Sequence, residues 1–129
     1  MFTIDLPPNT PPPRHAVVAD ADPAQRMALA GLLRRRGFTV AVAADAMTAL
    51  TLMGEQDTAL ALMARDGAEQ AAALAVVLYP RTRILLTVPV AAALPGGDAP
   101  FPLLPLDPDP DALADRLDRW LSRLIPLAA

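Results

Sequence analysis

The sequence predicts a doubly wound α/β domain built on five parallel strands. Three features carry that reading. Short apolar runs rich in β-branched residues recur between residues 15 and 106, segments of helical periodicity lie between them, and Asp, Pro and Gly fall where helices begin and end. Alternation of this kind folds as a parallel sheet with helices on both faces.

Taken in order, HAVVA (15–19) is a short buried strand, and Asp22 followed by Pro23 opens a helix, the first as N-cap and the second at the first helical position. That helix directs Met27, Leu29, Leu32 and Leu33 toward a core and stops at Gly37. FTVAV (38–42) is the second strand. Asp45 caps a second helix with Ala49, Leu50 and Met53 on one face, ending near Gly54. TALALM (58–63) is the third strand, 67–79 the third helix, and RILLTV (83–88) the fourth strand, set off by Pro80. Seven prolines between 89 and 110 then leave room for about one turn of helix at 90–94. FPLLPL (101–106) fits only an edge strand, because proline cannot donate to a ladder. A last helix over 109–124 carries Leu113, Leu117, Trp120, Leu121 and Leu124 on one stripe. The expected strand order is the flavodoxin-like 2-1-3-4-5, with a shortened helix between the fourth and fifth strands. Any site then lies at the carboxyl ends of the first and third strands, where Asp20 sits.

Residues 1–14 form a proline-rich leader, with five of the fifteen prolines in PPNTPPP. Within it Phe2, Ile4 and Leu6 alternate as in a half-buried strand. The domain covers 15–125, followed by a tail over 126–129. The ending LIPLAA reads as a natural terminus or a cut. At 129 residues the chain holds one domain of ordinary size.

Hydrophobic residues make up 53% and the mean hydropathy is +0.33, yet no apolar run approaches the ~20 residues that span a bilayer. No membrane contact is expected. A net charge of -3 and a pI near 4.9 speak against nucleic acid, which needs a basic face. The basic run Arg34-Arg35-Arg36 suits a helix carboxyl end. Cysteine is absent, which removes disulfides and thiolate metal sites. Without a signal-peptide pattern at the start, the cytoplasm is the default location. All eleven basic side chains are Arg.

Residues 22–50, DPAQRMALAGLLRRRGFTVAVAADAMTAL, resemble the receiver domain of bacterial two-component response regulators, through Pro23, Arg26, Leu29, Leu32-Leu33, Gly37, Val40, Ala44-Asp45 and Ala49-Leu50. PRTRILLT (80–87) and DPDAL (109–113) extend the likeness over roughly residues 15–124. The resemblance implies a phosphoryl acceptor Asp at the end of the third strand, an acid pair after the first, a Thr or Ser on the fourth and a Lys on the fifth, with a divalent ion held by the acids. Here the acid pair becomes Asp20 and Ala21. The acceptor position falls on Leu62 or Met63, the Lys position on Leu106 or Asp107, and the switch aromatic on Leu103. Thr87 alone is kept beside Asp20. No Lys exists to substitute from a shifted register.

The bland readings of the survivors are structural. Asp22 is an N-cap, Asp20 a loop hydrogen-bond acceptor, Thr87 a hydroxyl that satisfies local backbone, and Asp66 a solvated loop acid; His15 has no partner in the sequence. The expectation is therefore a pseudo-receiver, a non-enzyme without cofactor or metal that works by binding another signalling protein or itself, with a homodimer expected. A shortened helix before the fifth strand would bare Leu103, Leu104 and Trp120 as the interaction surface. Two rivals are a phosphotransfer receiver using Asp66 as a displaced acceptor with Asp20, and a purely structural dimerisation domain.

Overall fold

A computed structural model describes residues 14–90 and 101–124. Five strands, β1 (Arg14–Ala19), β2 (Phe38–Ala43), β3 (Leu60–Ala64), β4 (Arg83–Pro89) and β5 (Leu103–Leu106), form one parallel sheet in the order β2-β1-β3-β4-β5. Four helices are described: α1 (Pro23–Arg34), α2 (Ala46–Glu55), α3 (Glu69–Leu78) and α4 (Pro110–Leu124). The predicted architecture and strand order are both found. Residues 1–13 of the leader, the turn of helix at 90–94 beyond Val90, and the tail lie outside the described residues, and Arg14, expected in the leader, opens β1.

Period-2 alternation on fully buried strands divides the core in two. Val17, Ala19, Ala61, Met63, Ile84 and Leu86 face α2 and α3. Ala16, Val18, Leu60, Leu62, Leu85 and Leu104 pack with Leu29 and Leu33 of α1 and Leu113 and Leu117 of α4.

Local chemistry sets the helix boundaries. The Asp22 carboxylate accepts from the amide of Ala24 at 3.1 Å, with Pro23 following it. Asp45 accepts from both the amide and the hydroxyl of Thr48, at 2.8 and 3.0 Å. After α1, Gly37 takes φ 89, a left-handed turn that L side chains rarely adopt. Arg36 closes the same corner by pairing through two bonds with Asp118 of α4, one of them 3.0 Å.

Two expectations fail on this scaffold. Met27 is 54% exposed; two positions ahead of Leu29, it lies about 200° around a 3.6-residue turn and points away from the sheet. The third strand begins at Leu60 and not at Thr58. Thr58 belongs to the preceding loop, where its carbonyl accepts from the buried Thr82 hydroxyl at 2.7 Å, and the ladder continues to Ala64.

Candidate functional site

In a parallel sheet every strand delivers its carboxyl end to the same edge, and here that edge opens into a cleft. Asp20, Ala21 and Asp22 reach it from β1, Ala64 to Gly67 from β3, Thr87 to Val90 from β4 and Leu106 from β5, with Asp45 and Glu69 at the adjoining helix starts.

Asp20 is almost fully buried, at 9% exposure. One carboxylate oxygen accepts from the amide of Asp22 at 2.8 Å, its own amide donates to the carbonyl of Ala43 at 3.1 Å, and Arg26 donates to its carbonyl at 2.9 Å. The loop is thus folded around the residue, as its structural reading requires. Ala21 is exposed beside it and offers no ligand.

The two β3 positions do not reach the cleft. Leu62 and Met63 are both fully buried, pointing into opposite halves of the core, and neither borders the cleft. The residue at the carboxyl end of β3 is Ala64, which lines the cleft and stands opposite Thr87 in the β3–β4 ladder. The strand started two residues later than its apolar run suggested, so its end moved as well.

Thr87 also departs from expectation. It is 2% exposed and its hydroxyl has no hydrogen-bond partner. Its ladder neighbours are Ala64 and Leu104, and neither side chain carries a polar atom. Leu106, at the end of β5, is half-buried at the cleft wall. Asp107 turns to Arg116, 3.7 Å away.

Asp66 is exposed and shares the cleft with Asp20. Among the described residues, however, no three carboxylate or imidazole groups gather closely enough to hold a metal ion. The donor set does not fit the Mg2+ of a receiver, which wants several carboxylate oxygens. The cleft is nevertheless acidic, with Asp20, Asp22, Asp45, Asp66 and Glu69 against Arg65, which pairs with Glu69 at 3.7 Å. An incoming phosphoryl dianion would meet net negative charge and no ammonium.

His15 has a partner that no local pattern announces: its Nδ1 lies 2.9 Å from the Thr39 hydroxyl, brought alongside by the β1–β2 register. The residues of the expected interaction surface differ in exposure. Leu104 is fully buried between β4 and α4, and Leu103 is half-buried. Trp120 packs against the core, donates its indole N–H to the Leu103 carbonyl at 3.1 Å and carries Arg123 5.6 Å above its ring. Among the described residues, four large apolar side chains that face outward lie on α3, Leu74 (42% exposed), Val76 (50%), Val77 (77%) and Leu78 (55%), and Met27, Val42, Met47 and Val90 are exposed elsewhere. No helix among the described residues is long and apolar enough to cross a membrane.

No protein-family model matches the chain, and no curated protein matches its sequence. Solved structures do match. The signal receiver domain of an HD domain-containing protein from Pseudomonas fluorescens is 21% identical, with TM-score 0.66, covering 87% of this chain and 97% of that one. A CheY-like response regulator receiver domain from Methanospirillum hungatei is 20% identical, with TM-score 0.64, over 87% and 96%. The response regulator domain of Thermotoga maritima CheB is 13% identical, with TM-score 0.70, over 91% and 99%. From β1 to α4, this chain has the fold of the response regulator receiver domains.

Proposed function

We propose that the protein is a pseudo-receiver, a receiver-fold module of bacterial two-component signalling that binds another signalling protein or a second copy of itself and accepts no phosphoryl group. It performs no catalysis, carries no metal or cofactor, and works in the cytoplasm. The observation that supports this best is the cleft lining. Ala21, Ala64 and Leu106 line the cleft at the strand ends, where a receiver would need a second acid, an acceptor and a Lys, and the alternative acceptor positions Leu62 and Met63 are equally unable to take a phosphoryl group. Ala64 has no oxygen with which to attack phosphorus, Ala21 removes a ligand for the ion that would screen the transferred charge, and Leu106 removes the cation that would hold it. Asp20 and Thr87 alone supply neither nucleophile geometry nor charge balance. What remains is a rigid sheet carrying helices, suited to present a surface.

The placement of Asp66 in the same cleft as Asp20 favours a second reading, phosphotransfer through a displaced acceptor. The two differ in their need for a divalent ion. An ion-binding cleft is stabilised in proportion to occupancy. The pseudo-receiver reading predicts that millimolar Mg2+ leaves the melting temperature unchanged in the wild type. A saturable rise in melting temperature that disappears in Asp66→Asn would show an ion site at Asp66, overturn the metal-free reading and favour phosphotransfer.

A further inference from the structure

We propose that the cleft binds a primary alkylammonium group, the head of a lysine side chain or of a free amine. The proposal rests on the pseudo-receiver reading, in which neither a metal ion nor a phosphoryl group fills that space. The acidic rim of Asp20, Asp22, Asp45, Asp66 and Glu69 by itself only attracts cations in general. A second feature selects among them. Thr87 borders the same cleft, is 2% exposed, and its hydroxyl has no hydrogen-bond partner among the described residues. A buried hydroxyl without a partner carries a desolvation cost that a donor arriving in the cleft relieves.

Strand alternation puts Asp20, Ala64 and Thr87 on the face of the sheet that carries Val18, Leu62 and Leu85. Ala64 pairs with Thr87, and one step beyond the Ala19–Met63 pair Asp20 comes level with Ala64. Carboxylate and hydroxyl therefore flank a methyl group, two strand spacings or about 10 Å apart at the backbone. One nitrogen above Ala64 can donate to both, at about 2.9 Å each.

The partners already present favour an ammonium over a guanidinium. One Asp20 carboxylate oxygen accepts from the amide of Asp22 at 2.8 Å, so the two-oxygen edge that a guanidinium fork prefers is half used, whereas a compact ammonium needs only the other oxygen. Neither nearby Arg neutralises that carboxylate: Arg26 donates to the Asp20 carbonyl, and Arg65 pairs with Glu69. The β4–β5 side of the cleft is apolar, with Pro89, Val90, Leu106 and Pro108, and suits a methylene stem. This chain contains no Lys, so a side chain of a second copy cannot supply the group, and a lysine that enters the cleft belongs to another protein.

The test is a titration of the isotope-labelled full chain with n-butylammonium, in EDTA at fixed ionic strength, followed by amide chemical shifts. Saturable shifts are expected at Ala21, Ala64 to Gly67 and Val88. Tetramethylammonium, a cation without N–H donors, should bind at least about tenfold more weakly. Thr87→Val should weaken n-butylammonium by a similar factor although the variant is the more stable protein, a split that a purely structural role would not produce. Asp20→Asn should also weaken binding, and Asp118→Asn on α4 should leave it unchanged. N-acetyl-lysine methylamide separates the two sources: if it binds as well, a partner's lysine can fill the site, and if it is excluded the ligand is a free amine. Shifts that do not saturate, that tetramethylammonium reproduces, or that survive Thr87→Val overturn the proposal. If the chain also takes no phosphoryl group from a small phosphodonor and Mg2+, this inference alone has failed; a phosphoryl adduct is a failure of the pseudo-receiver reading.

Discussion

Thr87 holds a buried hydroxyl between two apolar ladder neighbours, Ala64 and Leu104. A buried hydroxyl without a partner costs about 1 to 3 kcal/mol, and a Val of the same shape removes that cost. Thr87→Val is therefore expected to stabilise the protein by about 1 kcal/mol in urea denaturation. A loss of that size would mean that the hydroxyl finds a partner in solution. On β3, Leu62 and Ala64 should behave as opposites. Leu62→Ala empties a fully buried site and is expected to cost about 2 to 5 kcal/mol, while Ala64→Ser, at the half-exposed strand end, should change stability by less than about 1 kcal/mol. Equal costs at the two positions would undo the register assigned here. Asp20 and Asp22 were readable from sequence because their bonds close within two residues. Ala64 and the orphaned hydroxyl were not, since both depend on which strands lie alongside.

Helix starts were the most legible elements. Asp22-Pro23 and Asp45 act on amides two and three residues away, and such short-range chemistry is written in the local sequence. The start of β3 was not legible, because the bond from Thr82 that holds Thr58 in a loop joins residues 24 apart. Nor was the outer face of α3, whose nearly continuous apolar run offers no period from which to choose a side. The caps and the inter-helix pair also titrate. The Thr48 amide and hydroxyl bonds hold Asp45 below the usual carboxylate value of 3.8, and the Arg36 hydrogen bond does the same for Asp118. A depressed folded-state pKa contributes stability that is complete above the unfolded value and is lost as pH falls through the folded one. Acid should thus weaken the fold below about pH 4 through these groups. Asp118→Asn should flatten part of that decline in thermal melts from neutral pH to pH 2, and added salt should shrink the difference, because the Asp118 side chain is 55% exposed. An identical acid slope in wild type and variant would mean that the Arg36 pair contributes nothing.

At the scale of the whole molecule, the doubly wound sheet delivers five strand ends to one cleft, and what that cleft can do depends on a few side chains at its rim. Fold and strand order were legible in full, because they follow from alternation repeated along the chain. That Ala21 stands in place of a second acid, and that no Lys is present, was legible in the sequence. At the expected surface Leu104 is fully buried, while Leu103 and Trp120 are half-buried and joined by the indole bond to the Leu103 carbonyl, a contact between residues 17 apart that no local pattern announces. Part of the exposed apolar surface lies on α3 instead, at Leu74, Val76, Val77 and Leu78.

Intact-mass spectrometry after incubation of the full chain with a small phosphodonor and Mg2+ tests the central claim most directly. With Ala64 at the end of β3 and Leu106 at the end of β5, the account predicts an unmodified mass at every time point. A stoichiometric adduct of one phosphoryl group, stable in acid, labile in base and mapping to Asp20 or Asp66, would contradict it.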